Sequence, residues 1–122
     1  MEIYAYDFDG VVSIGINPRN DNDIIITGRC IDEKEYVLNE LNKRNINCKV
    51  YFNPMTLNER GNHTIDSRIK SGMHKVSTII DLIKNGIKIT RFFEDDPIQY
   101  ELLKEIDFAI ELVFIQHYLV EK

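Results

Sequence analysis

Short β-branched and aromatic runs alternate along this chain with segments of helical period, and that alternation leaves few folds open. Ile3, Tyr4, Ala5 and Tyr6 form a β-prone run that leads into Asp7. Ile24, Ile25 and Ile26 form another that ends at Thr27 and Gly28, and residues 48–52, 87–93 and 108–114 read as three more strands. Helical patterns lie between them. Asp32, with Glu35 three positions on, reads as a capping pair. It opens a helix whose Val37, Leu38 and Leu41 share a face and which Asn45 and Asn47 end. Lys75 opens a second, with Val76, Ile79, Ile80 and Ile83 on one stripe and a left-handed stop at Asn85 and Gly86. Pro97 suits the first position of a third, carrying Leu102 and Leu103.

Strands alternating with helices predict an α/β, Rossmann-like three-layer sandwich, with a mostly parallel central sheet and helices on both faces. A length of 122 residues leaves no room for two full cores, so residues 1–122 are expected to form one domain. Residues 14–22 are rich in Gly, Asn and Pro and read as a loop or a small flap. Residues 53–74 carry no convincing period and are expected to hold short irregular elements or a functional insertion.

Composition excludes several classes. Hydrophobic residues make up 43% and charged residues 29%, which is the balance of a soluble globular protein. The apolar stretch over 108–115 is interrupted by Glu111 and is too short to span a bilayer. No basic segment followed by a long apolar run stands near Met1, so neither a membrane association nor a signal peptide is expected. Cys30 and Cys48 form no CxxC pair, and His63, His74 and His117 lack zinc-site spacing. Two free thiols fit a cytoplasmic protein. The net charge of −5 argues against a global attraction to nucleic acid or anionic membrane.

The strand ends carry the chemistry. In open α/β sheets, sites form at the carboxyl ends of the strands. Here those ends offer Asp7-Phe8-Asp9-Gly10, then Thr27, then Glu94-Asp95-Asp96, with Lys75 on a helix beside the last. Asp7 and Asp9 are two apart, so in extended chain their side chains share a direction. Adding Asp95 or Asp96 gathers carboxylates that repel one another unless a cation binds, and hard oxygen ligands suit Mg²⁺. Lys75 adds a fixed positive charge and Thr27 a short hydroxyl. Together these form a phosphoryl-binding set. Asp96, just before Pro97, also stands where it can cap the next helix.

Asp7-Phe8-Asp9-Gly10, Ile26-Thr27-Gly28-Arg29, Lys75 and Asp95-Asp96 together resemble, in order and over nearly the whole chain, the four motifs of the haloacid dehalogenase (HAD) superfamily of phosphohydrolases. The resemblance implies that Asp7 attacks phosphorus and forms an aspartyl-phosphate, while Asp9 serves as acid and then base. It implies that Thr27, Gly28, Arg29 and Lys75 bind the phosphorylated substrate. Asp7, Asp9 (through its backbone carbonyl), Asp95 and Asp96 would hold Mg²⁺. The response-regulator receiver also uses Asp, Thr and Lys on such a sheet, but its lysine comes last, whereas Lys75 precedes the acidic pair.

Only 16 residues separate Gly10 from Thr27 and 47 separate Thr27 from Lys75, so no cap domain is expected. An open site admits large substrates. Parts of the pattern also look like a subgroup of these domains linked to RNA repair and polynucleotide phosphatases, which carries Arg where this chain has Asp96. Arg60, Arg68, Lys70 and Lys75 outnumber Glu59 and Asp66 over residues 53–75. The expected activity is therefore a Mg²⁺-dependent phosphatase, with a nucleic-acid terminal phosphate as one substrate class. A small-metabolite or nucleotide phosphatase and a catalytically silent HAD-fold binding module are the alternatives.

Overall fold

The structure, a computed structural model, describes residues 1–106 and 109–117. Its strands are β1 (Ile3–Tyr6), β2 (Ile24–Cys30), β3 (Lys49–Asn53), β4 (Ile89–Glu94) and β5 (Glu111–Phe114). Its helices are α1 (Lys34–Lys43), α2 (Leu57–Arg60), α3 (Ile65–Lys84) and α4 (Pro97–Leu103). The strands form one sheet in the order β3-β2-β1-β4-β5, and every neighbouring pair is parallel. The chain builds outward from β1 to β3, then returns to place β4 on the other side of β1. The crevice between the carboxyl ends of β1 and β4 is therefore the point where the strand order reverses.

Alternation along the strands feeds two apolar layers. Tyr6, Phe8, Val11, Val12 and Ile25 pack with Val37 and Leu41 of α1 on one face. Ala5, Ile24, Ile26 and Phe92 pack with Ile79 of α3 and Leu103 of α4 on the other. Helices thus cover both faces of a fully parallel sheet. Among the described residues no helix is long and apolar enough to cross a membrane. Cys30 and Cys48 are both buried and unpaired.

The fold departs from the sequence expectation in its helix starts. Asp32 does not cap α1 from within. Residues Ile31–Glu33 form a 3-10 turn, Glu33 accepts the Cys30 N–H at 2.9 Å, and the Asp32 carboxylate reaches across to the Leu57 N–H. Asn45 is left-handed, with φ 57°, and closes α1 as expected. The larger departure is α3, which begins at Ile65 and not at Lys75. Thr64 and Ser67 form a reciprocal cap there, with bonds of 2.9 and 3.0 Å. This part of α3 escapes a reading based on apolar period because it buries Ser67, Ser71 and Gly72 and exposes Ile65, Ile69 and Met73. α2, with its own Thr56–Glu59 capping box, likewise orders part of residues 53–74. The strand expected over 108–114 is observed as Glu111–Phe114, and residue 108 lies outside the described residues.

Starting α3 early has a geometric consequence. Lys75 lies level with the end of β1, where it contacts Asp7 at 3.1 Å. The ten residues before it, at about 1.5 Å each, add roughly 15 Å of helix beyond that level, and Ser71 among them packs on Gly28 of β2. Small residues let α3 run close to β2. A Cβ on Gly28 would stand 2.6 Å from both Cβ and Oγ of Ser71. Gly28→Ala is expected to destabilise the protein by about 1–3 kcal/mol through overpacking. Ser71→Gly in the same chain should return most of that loss. Urea unfolding of the four variants measures the coupling, and strictly additive effects would show that the two elements do not touch there.

Candidate active site

Asp7 follows β1 directly, and its N–H donates to the Phe93 carbonyl of β4 at 3.0 Å. Its carboxylate is therefore fixed at the reversal point of the sheet. Its Oδ1 accepts the Phe8 N–H at 2.8 Å and lies 3.1 Å from Lys75 Nζ. Lys75 is 1% exposed and also bonds Glu94 Oε1 at 2.6 Å. The second oxygen of Glu94 accepts the N–H groups of Asp95 and Asp96 at 3.1 and 3.2 Å. One buried ammonium thus ties the end of β1 to the end of β4 from the middle of α3.

Carboxylate oxygens of Asp7, Glu94 and Asp95 lie within 4.8 Å of one another. Burial, and then the charge of Glu94, hold the Asp7 carboxyl well above the usual carboxylate range, and Lys75 offsets only part of this. Burial works against the Lys75 ammonium, but Asp7 and Glu94 more than offset it and keep that group charged. Gly10 makes the cluster possible. Its φ is +77°, and a Cβ there would run into the Asp95 carboxylate.

Two sequence-predicted residues are brought near this cluster but turn elsewhere. The Asp9 carboxylate, 52% exposed, is gripped through both oxygens by Arg29 at 2.8 and 2.9 Å, and Arg29 also bonds Glu33 at 2.7 Å. Asp96 is the N-cap of α4, accepting the Ile98 N–H at 2.8 Å, and it forms a two-pronged pair with Arg68 at 2.8 and 2.9 Å. Its oxygens are committed to those donors, and among the described residues the carboxylates that cluster together are those of Asp7, Glu94 and Asp95. Thr27 is fully buried, and its Oγ1 accepts the Arg29 N–H at 3.0 Å. Gly28 and Arg29 form the cleft surface beside it.

The sequence reading leaves two residues out of the site. Glu94 shares the parity of Phe92, which faces α3, so period-two alternation would have pointed it at Lys75. His117 Nε2 stands 3.1 Å from Asp95 Oδ2, and nothing local in the sequence signals that contact. Lys75 sits mid-helix and not at a helix start. Lys70 bonds Glu59 O and Asp66 on the outer side, away from Asp7. Asp7, Asp9, Lys75, Asp95 and Asp96 line a cleft of about 450 Å³, to which Arg60 and Arg68 also contribute.

Comparison of the chain with family models, with curated proteins and with solved structures returned no match.

The raised Asp7 pKa makes a sign-specific prediction. A carboxyl whose folded-state pKa lies above its unfolded value of 3.8 destabilises the fold while ionised. That penalty disappears as pH falls through the raised value toward the unfolded one. Asp7→Asn should therefore raise the melting temperature of the metal-free protein at pH 7, and the gain should close by about pH 4. Thermal melts across that range check it. A gain that grows on acidification would contradict the assignment.

Proposed function

We propose that this chain is a Mg²⁺-dependent phosphoric monoester hydrolase of the HAD type, without a cap domain, working through an aspartyl-phosphate on Asp7. The observation that carries the proposal is the buried Lys75 ammonium, 3.1 Å from Asp7 Oδ1, beside Glu94 and Asp95 at the reversal point of a parallel sheet. The order of elements that bring these groups together is that of the resembling superfamily. The short segments before Thr27 and before Lys75 support an open site.

Asp7 and Asp95 offer hard oxygen donors on the cleft, which fit Mg²⁺, and Glu94, its oxygens taken by Lys75 and two backbone N–H groups, adds negative charge behind them. When bound, the ion would neutralise charge on the phosphoryl oxygens and on the crowded carboxylates. In the proposed first step an Asp7 oxygen forms a bond to phosphorus as the bond to the leaving oxygen breaks. The leaving oxygen takes the electron pair and receives a proton from Asp9, which must first exchange its contact with Arg29. In the second step Asp9 takes a proton from water, whose oxygen attacks phosphorus and releases the Asp7 carboxylate. Lys75 holds charge that develops on the transferring group throughout.

The test is turnover of a generic aryl phosphate. Wild-type turnover should need Mg²⁺ and stop in excess chelator, and Asp7→Asn should abolish it without unfolding the chain. Lys75→Ala should lower kcat by about 10²–10³, while Lys70→Ala should leave it within about twofold of wild type, as expected of a surface charge. No turnover in any Mg²⁺ concentration would point to a silent binding module. The reverse ranking of the two lysines would remove Lys75 from the chemistry.

A further inference from the structure

The cleft carries cationic hydrogen-bonding capacity that the proposed chemistry does not use. Arg68 lies on the first turns of α3, before Lys75. Its Nε and Nη2 donate to Asp96 at 2.9 and 2.8 Å. Asp96 is already satisfied without them. Its Oδ1 accepts the Ile98 N–H at 2.8 Å, and its Oδ2 accepts the Gln99 side-chain amide at 3.1 Å. The pair therefore fixes the guanidinium more than it fixes the helix end. A guanidinium has five N–H donors. Asp96 takes two, and the Arg68 side chain remains 39% exposed on the cleft.

The neighbourhood of Arg68 is also polar. Arg60 donates to Gly28 O at 2.7 Å and to Gly61 O at 2.9 Å, pinning α2 to the end of β2. Asn62 and His63 follow on the cleft wall, His63 in the left-handed region at φ 58°. The volume is also informative. A cleft of about 450 Å³ is far larger than one phosphoryl group requires, and among the described residues no apolar side chain lines it. Sites that select apolar ligands are lined predominantly by apolar and aromatic groups. The space beyond Asp7 is lined by charged groups of both signs, with Arg29, Arg60 and Arg68 beside Asp9, Glu33 and Asp96, and it suits a polar leaving group.

We infer that Arg68, held by Asp96, anchors a second anion subsite, and that the preferred substrate is a phosphate monoester whose leaving group carries a further phosphate or phosphodiester. This rests on the phosphatase reading of Asp7. The rigid fork matches a tetrahedral anion in a way that a lysine cannot.

The experiment compares kcat/KM for a nucleoside monophosphate, a nucleoside 3′,5′-bisphosphate and a dinucleotide with a terminal phosphate. Wild type, Arg68→Gln and Arg68→Lys are measured side by side with Mg²⁺, and melting curves confirm that each is folded. Wild type should favour the doubly anionic substrates by about tenfold or more, the ratio expected for one charge-assisted contact. Arg68→Gln should bring that ratio close to one, mainly through KM, and Arg68→Lys should retain part of it. An Arg68-dependent advantage for the bisphosphate alone places the second anion on a small molecule. The same advantage for the dinucleotide alone places it in a strand, and either supports the subsite. Equal efficiency on all three in wild type, or an advantage that Arg68→Gln leaves intact, overturns it. Absence of turnover on every substrate sinks the phosphatase reading instead. Calorimetric binding of the bisphosphate and the monophosphate to wild type and Arg68→Gln then decides the subsite, and equal affinities would end it.

Discussion

A buried ammonium between two buried carboxylates organises this protein. Lys75, Asp7 and Glu94 come from α3, the end of β1 and the end of β4, and their contacts of 3.1 and 2.6 Å join the three elements at one point. Taking such charges out of water is costly, and their mutual attraction recovers that cost only with good geometry and full hydrogen bonding. Glu94 meets the condition, with Lys75 on one oxygen and two backbone N–H groups on the other. Asp7 meets it less well, and its carboxyl is held above the ordinary range. In the proposed function, the negative charge that remains with Asp95 alongside is what a hard divalent cation would neutralise.

The sheet topology explains why these groups meet. Parallel strands present their carboxyl ends on one edge, and the reversal between β1 and β4 opens a crevice there. The remaining cleft wall comes from the end of β2, from residues 60–63 and from the first half of α3, which buries Ser67, Ser71 and Gly72. Two arginine–aspartate pairs then divide the loose carboxylates of the motifs. Arg29 takes Asp9 and Arg68 takes Asp96. Each pair is partly exposed, so its worth lies in orientation more than in stability.

Much of the fold was legible in the chain. β1, β2 and β3, the stop at Asn45 and the Pro97 helix follow from apolar runs, a left-handed asparagine and a proline at its preferred position. What escaped was the first half of α3 and all of α2. Both are held by capping boxes and by small polar contacts, which carry no apolar period for a sequence reading to find. The candidate site was partly legible in the same sense. Asp7, Lys75 and Asp95 are together in the structure, Glu94 joins them unlisted by the motif, and Asp96 leaves them to cap α4 and hold Arg68.

The sequence by itself determined that strands and helices alternate, that acidic residues stand at the ends of the first and fourth strands, and that a lysine follows between them. These are properties of residue type and local spacing, and local propensity and period are enough to express them. Only the tertiary structure decided which carboxylate faces which partner. One turn of backbone between Glu94 and Asp96 can send each carboxylate in a different direction, and the choice is made by donors distant in sequence: Lys75 for Glu94, His117 for Asp95, Arg68 for Asp96. Such choices depend on long-range geometry and on the cost of leaving a buried charge unpaired, and no local pattern encodes either.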